Sequence, residues 1–128
     1  MIIGIGTDLV DITRIADSIE RVGERFIQRI LTPEEIARWS NISNKEQANA
    51  YVAKRFAAKE AAVKALGTGI GSGVSFQHFS VSNLASGQPV LEVDDCIAAR
   101  FNFPVNWHLS LTDELAYAQA FVILESKV

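Results

Sequence analysis

The sequence predicts an α+β domain in which helices come early and antiparallel strands come late, and three observations carry that prediction. Ile15, Ile19, Val22, Phe26 and Ile30 recur at the spacing of one helical face. Residues 45–66 then give a long, alanine-rich helical signal that stops at Gly67, a residue suited to a left-handed cap. Beyond Gly73 the period shortens to that of strands, over 79–83, 90–93, 105–111 and 116–124. Helices gathered in one half and strands in the other give the α+β pattern rather than alternating β-α-β units.

The elements follow in order. Residues 2–7 are short, β-branched and apolar, interrupted by Gly4 and Gly6, which predicts a buried strand closely approached by another backbone. Asp8 is expected just past that strand. Asp11 can cap a helix from Ile12, and Gly23 is placed to divide the apolar stripe into two helices, since glycine costs about 1 kcal/mol inside one. Thr32-Pro33-Glu34-Glu35 is a helix start, with threonine as cap, proline in the first turn and Glu35 closing a capping box. Residues 67–73, Gly-Thr-Gly-Ile-Gly-Ser-Gly, form a loop. Asp94 or Asp95 caps a short helix through Phe101, and Thr112-Asp113-Glu114 turns the last two strands. No repeat, linker or low-complexity segment divides the chain, so residues 1–128 are expected to be one domain.

Composition narrows the function classes. Hydrophobic residues at 48% and charged residues at 21% are ordinary globular usage. No apolar run approaches the roughly 18 residues that span a bilayer, and the start lacks the basic region and cleavage site of a signal peptide. A single Cys96 excludes an internal disulfide framework, and with two histidines it cannot build a structural zinc site. A cytoplasmic protein is expected, with neither membrane nor nucleic acid as partner. The net charge of −3 hides a basic middle, because ten of the twelve basic residues lie in 14–64. That distribution points to a local anionic ligand or partner, while the acidic total argues against duplex DNA.

Several residues could carry chemistry. Glu60 falls at the border of the apolar side of the long helix, and Lys64 projects from the next turn of the same face. They read either as a surface ion pair or as part of a site. Lys59 points toward the apolar side, where a lysine needs a partner, and the many alanines let another backbone approach; both features favour a site. Asp8 reads as either a site carboxylate or a capping residue. Together Asp8 and Glu60 would suit magnesium, which takes one or two protein carboxylates and fills its shell from water and substrate phosphates. The glycines of 67–73 follow a helix and lack Gly-Lys-Ser/Thr, so they are not a Walker loop. Backbone amides at Gly67, Thr68 and Gly69 could still cradle an anion. Arg14, Arg21, Arg25 and Arg29 would form one basic stripe on a continuous helix, a surface for an acidic partner or an ordinary solvated face. His108 and Ser110 share one side of a late strand, with no third member of a catalytic triad, so His108 reads first as structural.

Taken together, these segments resemble the holo-[acyl-carrier-protein] synthase family, the small type of phosphopantetheinyl transferase. The matching pieces are Gly4-Ile5-Gly6-Thr7-Asp8 with Arg14, then Arg55-Phe56-Ala57-Ala58-Lys59-Glu60-Ala61 through Lys64-Ala65-Leu66-Gly67-Thr68-Gly69-Ile70, and His108-Leu109-Ser110-Leu111-Thr112. Asp113 departs from the pattern, since many members carry histidine there, and it is given no role. The resemblance implies a phosphopantetheinyl transferase-like fold, with helices packed on an antiparallel sheet. It also implies that phosphopantetheine moves from coenzyme A to a serine of apo-acyl carrier protein. By that resemblance Asp8 and Glu60 would hold Mg2+, and Lys64 would contact the phosphates and protonate the leaving 3′,5′-ADP. Arg55, residues Gly67, Thr68 and Gly69, and His108 would lie near the nucleotide, and the arginine stripe would dock the acidic carrier protein. The serine proton would pass to Glu60 or to a metal-bound water. A homotrimer with sites between subunits is implied as well.

Overall fold

A computed structural model describes residues Met1–Val128 and bears out the α+β expectation. The chain opens with β1 (Ile2–Asp11), followed by α1 (Ile12–Val22), α2 (Glu24–Ile30), α3 (Pro33–Ser40) and the long α4 (Lys45–Leu66). A 3-10 turn at Phe76–His78 leads into β2 (Phe79–Asn83) and β3 (Pro89–Val93). Then come α5 (Asp95–Ala98), β4 (Val105–Asp113) and β5 (Tyr117–Ser126). The main sheet is antiparallel with order β1-β5-β4, and β2 and β3 pair separately as a hairpin. No helix is long and apolar enough to cross a membrane.

Local chemistry sets the helix ends as expected. Asp11 accepts from the Thr13 amide at the start of α1. Thr32 and Glu35 close a reciprocal capping box on α3. Gly67 ends α4 in the left-handed region at φ 87°. Gly23, at φ 76°, separates α1 from α2. The four arginines are therefore not one continuous stripe: Arg14 and Arg21 ride on α1, Arg25 and Arg29 on α2, all exposed.

The buried centre is α4. One core cluster joins Ala57, Ala58, Ala61 and Ala62 to Ala120, Val122 and Leu124 of β5 and to Phe79 and Val81 of β2. A second joins Val52 and Ala53 to Ile15, Ile27, Ile30 and Leu31. α4 is thus covered on several sides rather than along a single stripe. Its alanines serve the close approach the sequence suggested. A Cβ built on Gly4 would collide with the Ala65 carbonyl oxygen, and one on Gly6 with the Ala61 carbonyl oxygen. Only hydrogen fits between β1 and α4 at those positions.

Three expectations about the elements are corrected. The helix after Asp94 stops at Ala98, not Phe101. The first strand is not buried but covered on one face only, with Ile5 59% exposed. β1 does not stop at Thr7 but runs on to Asp11, so Asp8 stands within the strand, opposite Ala120, rather than beyond it. The cause is β5, which offers a backbone partner to each residue from Gly4 to Asp11, the last opposite Tyr117. Lys59 has the partner that its place on the apolar side requires, but inside the fold rather than in a site. It is fully buried, with Nζ 2.6 Å from Glu35 Oε1 and 2.6 Å from the Ile30 carbonyl oxygen. Its partner is the carboxylate that closes the α3 capping box, which also accepts from the Val81 amide.

Candidate active site

The pleat of β1 places Gly4, Gly6 and Asp8 on the face covered by α4. Gly4 lies against Ala65 and Gly6 against Ala61, so the strand and the helix run in opposite senses and Asp8 comes beside the Glu60–Lys64 turn. Lys64 Nζ donates to Asp8 Oδ1 at 3.1 Å and to the Thr7 carbonyl oxygen at 2.9 Å. Glu60 is half-buried one turn earlier on α4. Burial, and then the negative charge of Asp8, raise the Glu60 carboxyl above its ordinary value, while Lys64 and Arg29 oppose the rise. Three of the residues expected in the site, Asp8, Glu60 and Lys64, are therefore brought together.

A groove of about 310 Å3 opens at Asp8, with Asp11 and Arg14 at its polar side and Phe26 and Phe56 as apolar walls. Arg14 thus borders Asp8, while Arg29 lies near enough to Glu60 to oppose the rise of its carboxyl. A larger hollow of about 590 Å3 lies between the starts of α1 and α4 and the β4–β5 turn; Asp113, to which no role is given, lines it, and none of the candidate site residues does. Of the candidate residues, Asp8 and Arg14 line the smaller groove.

The oxygen donors there suit a hard divalent cation. Two neighbouring carboxylates, one half-buried and raised by the other, repel less when a cation lies between them. The last turns of α4 add the partial negative charge of a helix C-terminus. No cluster of three or more metal-binding side chains is present, but magnesium requires only one or two carboxylates. Two carboxylates are within that requirement.

Other expected residues stand apart. Arg55 is buried on the α3 and β2 side of α4, its guanidinium 3.8 Å from the Tyr51 ring centroid and its Nη2 3.3 Å from Asn83 Oδ1. Its Nε has no hydrogen-bond partner, and burial lowers its pKa. His108 lies on the opposite face of the main sheet from Asp8, where its Nε2 is 3.0 Å from Glu125 Oε1. That bond holds the Glu125 carboxyl below its usual range. The amides of Gly67, Thr68 and Gly69 do not form an open anion cradle: all three point at the Val63 carbonyl oxygen and so close the end of α4. The loop offers the exposed Thr68 hydroxyl instead, which donates to the Gly69 carbonyl oxygen. Asp113 pairs with Lys54 at 3.7 Å. Sequence reasoning missed the Thr7 carbonyl as a partner of Lys64, because no side-chain pattern signals a backbone acceptor.

An α+β chain whose strand carboxylate and helix carboxylate converge beside a lysine belongs to the 4'-phosphopantetheinyl transferase superfamily, whose family model matches residues 4–122. Its relatives are holo-[acyl-carrier-protein] synthases. One from a Marinomonas species is 80% identical over 127 residues, covering 99% of this chain and 100% of the relative. Another from Shewanella frigidimarina is 49% identical over 127 residues, covering 98% of each chain. Among solved structures, the holo-[acyl-carrier-protein] synthase from Neisseria meningitidis has a TM-score of 0.89 at 38% identity, covering 98% of this chain and 100% of that one. The Bacillus anthracis synthase in complex with CoA (3',5'-ADP) has a TM-score of 0.85 at 37% identity, covering 99% of each.

Proposed function

We propose that this chain, acting as a single domain over residues 1–128, is a holo-[acyl-carrier-protein] synthase. It transfers 4'-phosphopantetheine from coenzyme A to a serine of apo-acyl carrier protein and releases adenosine 3',5'-bisphosphate. The observation that carries the reading is the contact of Lys64 with Asp8, with Glu60 close enough to feel the charge of both. The relatives' shared name and the coenzyme complex of the Bacillus anthracis protein support it.

In this reading Asp8 and Glu60 hold Mg2+. When bound, the ion neutralises pyrophosphate charge and orients the phosphorus under attack. The serine oxygen forms a bond to the β-phosphorus as the bond to the leaving bisphosphate breaks. Glu60 accepts the serine proton. Lys64 places its ammonium against the phosphates and returns a proton to the leaving group. Such a transfer depends on positioning and electrostatics rather than on a covalent enzyme intermediate. Arg55, Gly67, Thr68, Gly69 and His108 are the proposed coenzyme contacts, the 67–69 loop through its exposed Thr68 hydroxyl rather than its amides and His108 from a neighbouring copy. Arg14, Arg21, Arg25 and Arg29 take the acidic carrier protein, in the cytoplasm.

The direct test incubates the protein with apo-carrier protein, coenzyme A and magnesium and looks for an added mass of about 340 Da on the carrier. Asp8→Asn and Glu60→Gln are each expected to lower the rate at least about 100-fold while leaving the fold intact. Full activity in either variant rejects the metal site. A protein that only docks an acidic partner would bind the carrier regardless of coenzyme A and magnesium.

Glu60 also gives a pH signature. Because its carboxyl is raised in the fold, the native chain keeps that proton to higher pH than the unfolded chain does. Stability is therefore lost as pH rises from the ordinary value of 4.5 through the raised native one. In metal-free buffer Glu60→Gln is expected to melt on the order of 2 °C above the parent near neutral pH and level with it in acid. Calorimetry at both pH values checks this.

The sheet face opposite α4 supports a homotrimer with sites between subunits. Ile5, Leu9 and Phe121 stand 59%, 63% and 39% exposed there, an uncovered apolar surface on a folded chain. His108 shares that face, so it joins a site only when another copy covers it. Sedimentation should give three times 14.0 kDa for the parent. Phe121→Arg should shift the protein to the monomer and reduce transfer.

A further inference from the structure

Lys64 stands where a metal ion would compete with it. Its Nζ makes both of its hydrogen bonds to β1, at 3.1 Å to Asp8 Oδ1 and 2.9 Å to the Thr7 carbonyl oxygen. A magnesium ion on Asp8 would sit about 2.1 Å from a carboxylate oxygen. An ammonium held by the same carboxylate would then face the ion with little water between them. Two cations contest one carboxylate.

The lysine is well suited to hold that place. The Asp8 side chain is only 16% exposed, so its carboxylate is partly shielded from solvent although the ammonium is not. Glu60 and the C-terminal end of α4 both add negative potential around the ammonium. The Lys64 side chain is itself 52% exposed and sits on a flexible four-carbon stem, so it can swing away without opening the core.

We infer that Lys64 is the resident cation of the carboxylate site: it holds Asp8 in the ligand-free protein and releases it when a bound phosphate draws the ammonium away. The inference rests on the reading of Asp8 and Glu60 as metal ligands and adds an order to their use. A divalent ion alone binds the free protein poorly, because it must displace Lys64 without help. A phosphate-bearing substrate removes the competitor, so substrate and cation bind with positive coupling, and the coupling is reciprocal. The same side chain guards the carboxylate pair before the substrate arrives and neutralises the phosphates afterwards.

Binding of Mn2+ alone tests this, followed without coenzyme as loss of the free ion's paramagnetic resonance signal on adding protein. Lys64→Gln is expected to bind Mn2+ at least about tenfold more tightly than the parent, equivalent to about 1.4 kcal/mol. Lys64→Arg keeps the charge and should stay within about twofold of the parent. Lys64 packs in no core, and circular dichroism melts confirm that both variants are folded. If Lys64→Gln binds Mn2+ no more tightly than the parent, and Asp8→Asn abolishes binding in both backgrounds, the lysine's role is overturned and the carboxylate site stands. If Mn2+ binding survives Asp8→Asn undiminished, the carboxylate site fails and the inference fails with it.

Discussion

Lys59→Met is expected to remove about 3–5 kcal/mol of folding free energy, seen as a lower urea midpoint with an unchanged slope. Lys59 and Glu35 are both fully buried, and their contact is 2.6 Å. Burial pulls the Lys59 ammonium down and Glu35 holds it up, so the pair persists only while both members are present. Methionine matches the stem and lacks the charge. It leaves a carboxylate in the interior with two backbone amides, Thr32 and Val81, as its remaining partners. It also strips the Ile30 carbonyl oxygen of its lysine donor. The loss approaches the whole stability of many domains. Adding Glu35→Gln should recover part of it, since the amide removes the unpaired charge and keeps one acceptor oxygen. If Lys59→Met alone melts like the parent, the buried pair contributes nothing to the fold.

Gly6→Ala is expected to cost about 3 kcal/mol or more and to abolish transfer as well. The added methyl meets the carbonyl oxygen of Ala61, a backbone atom that moves only if α4 moves. Asp8 lies two residues further along the same face of β1, and Glu60 precedes Ala61, so the displacement separates the atoms the reaction needs together. A companion variant sharpens the test. Ala61→Gly removes the Ala61 side chain but not its carbonyl, so it should fail to rescue Gly6→Ala in either melting temperature or rate. Rescue would show that the contact is made by side chains.

Features decided within a few residues were legible in the sequence. Asp11, the Thr32–Glu35 box and Gly67 act within a turn, and each stands where its residue type placed it. Glu60 and Lys64 were legible as a pair because a helix brings residues four apart to one face. Features decided by distant chain were not. β1 continues past Thr7 only because β5, at the other end of the sequence, pairs with it. Lys59 looked like a hint of a site because its partner lies 24 residues away on another helix. The meeting of Asp8 with Lys64 spans 56 residues, and only the resemblance anticipated it. Arg55 and His108 share that resemblance, yet the fold turns one toward β2 and the other through the sheet, away from Asp8.

The two glycines of β1 also guard against misalignment. A slip of one residue along β5 would swap every side chain between the sheet's faces, sending Asp8 outward and Ile5 or Thr7 inward. Neither Ile5 nor Thr7 can occupy a space that admits only hydrogen beneath α4. The wrong alignment is therefore blocked by the helix itself, and a chain that packs α4 at all has already aimed its first carboxylate correctly.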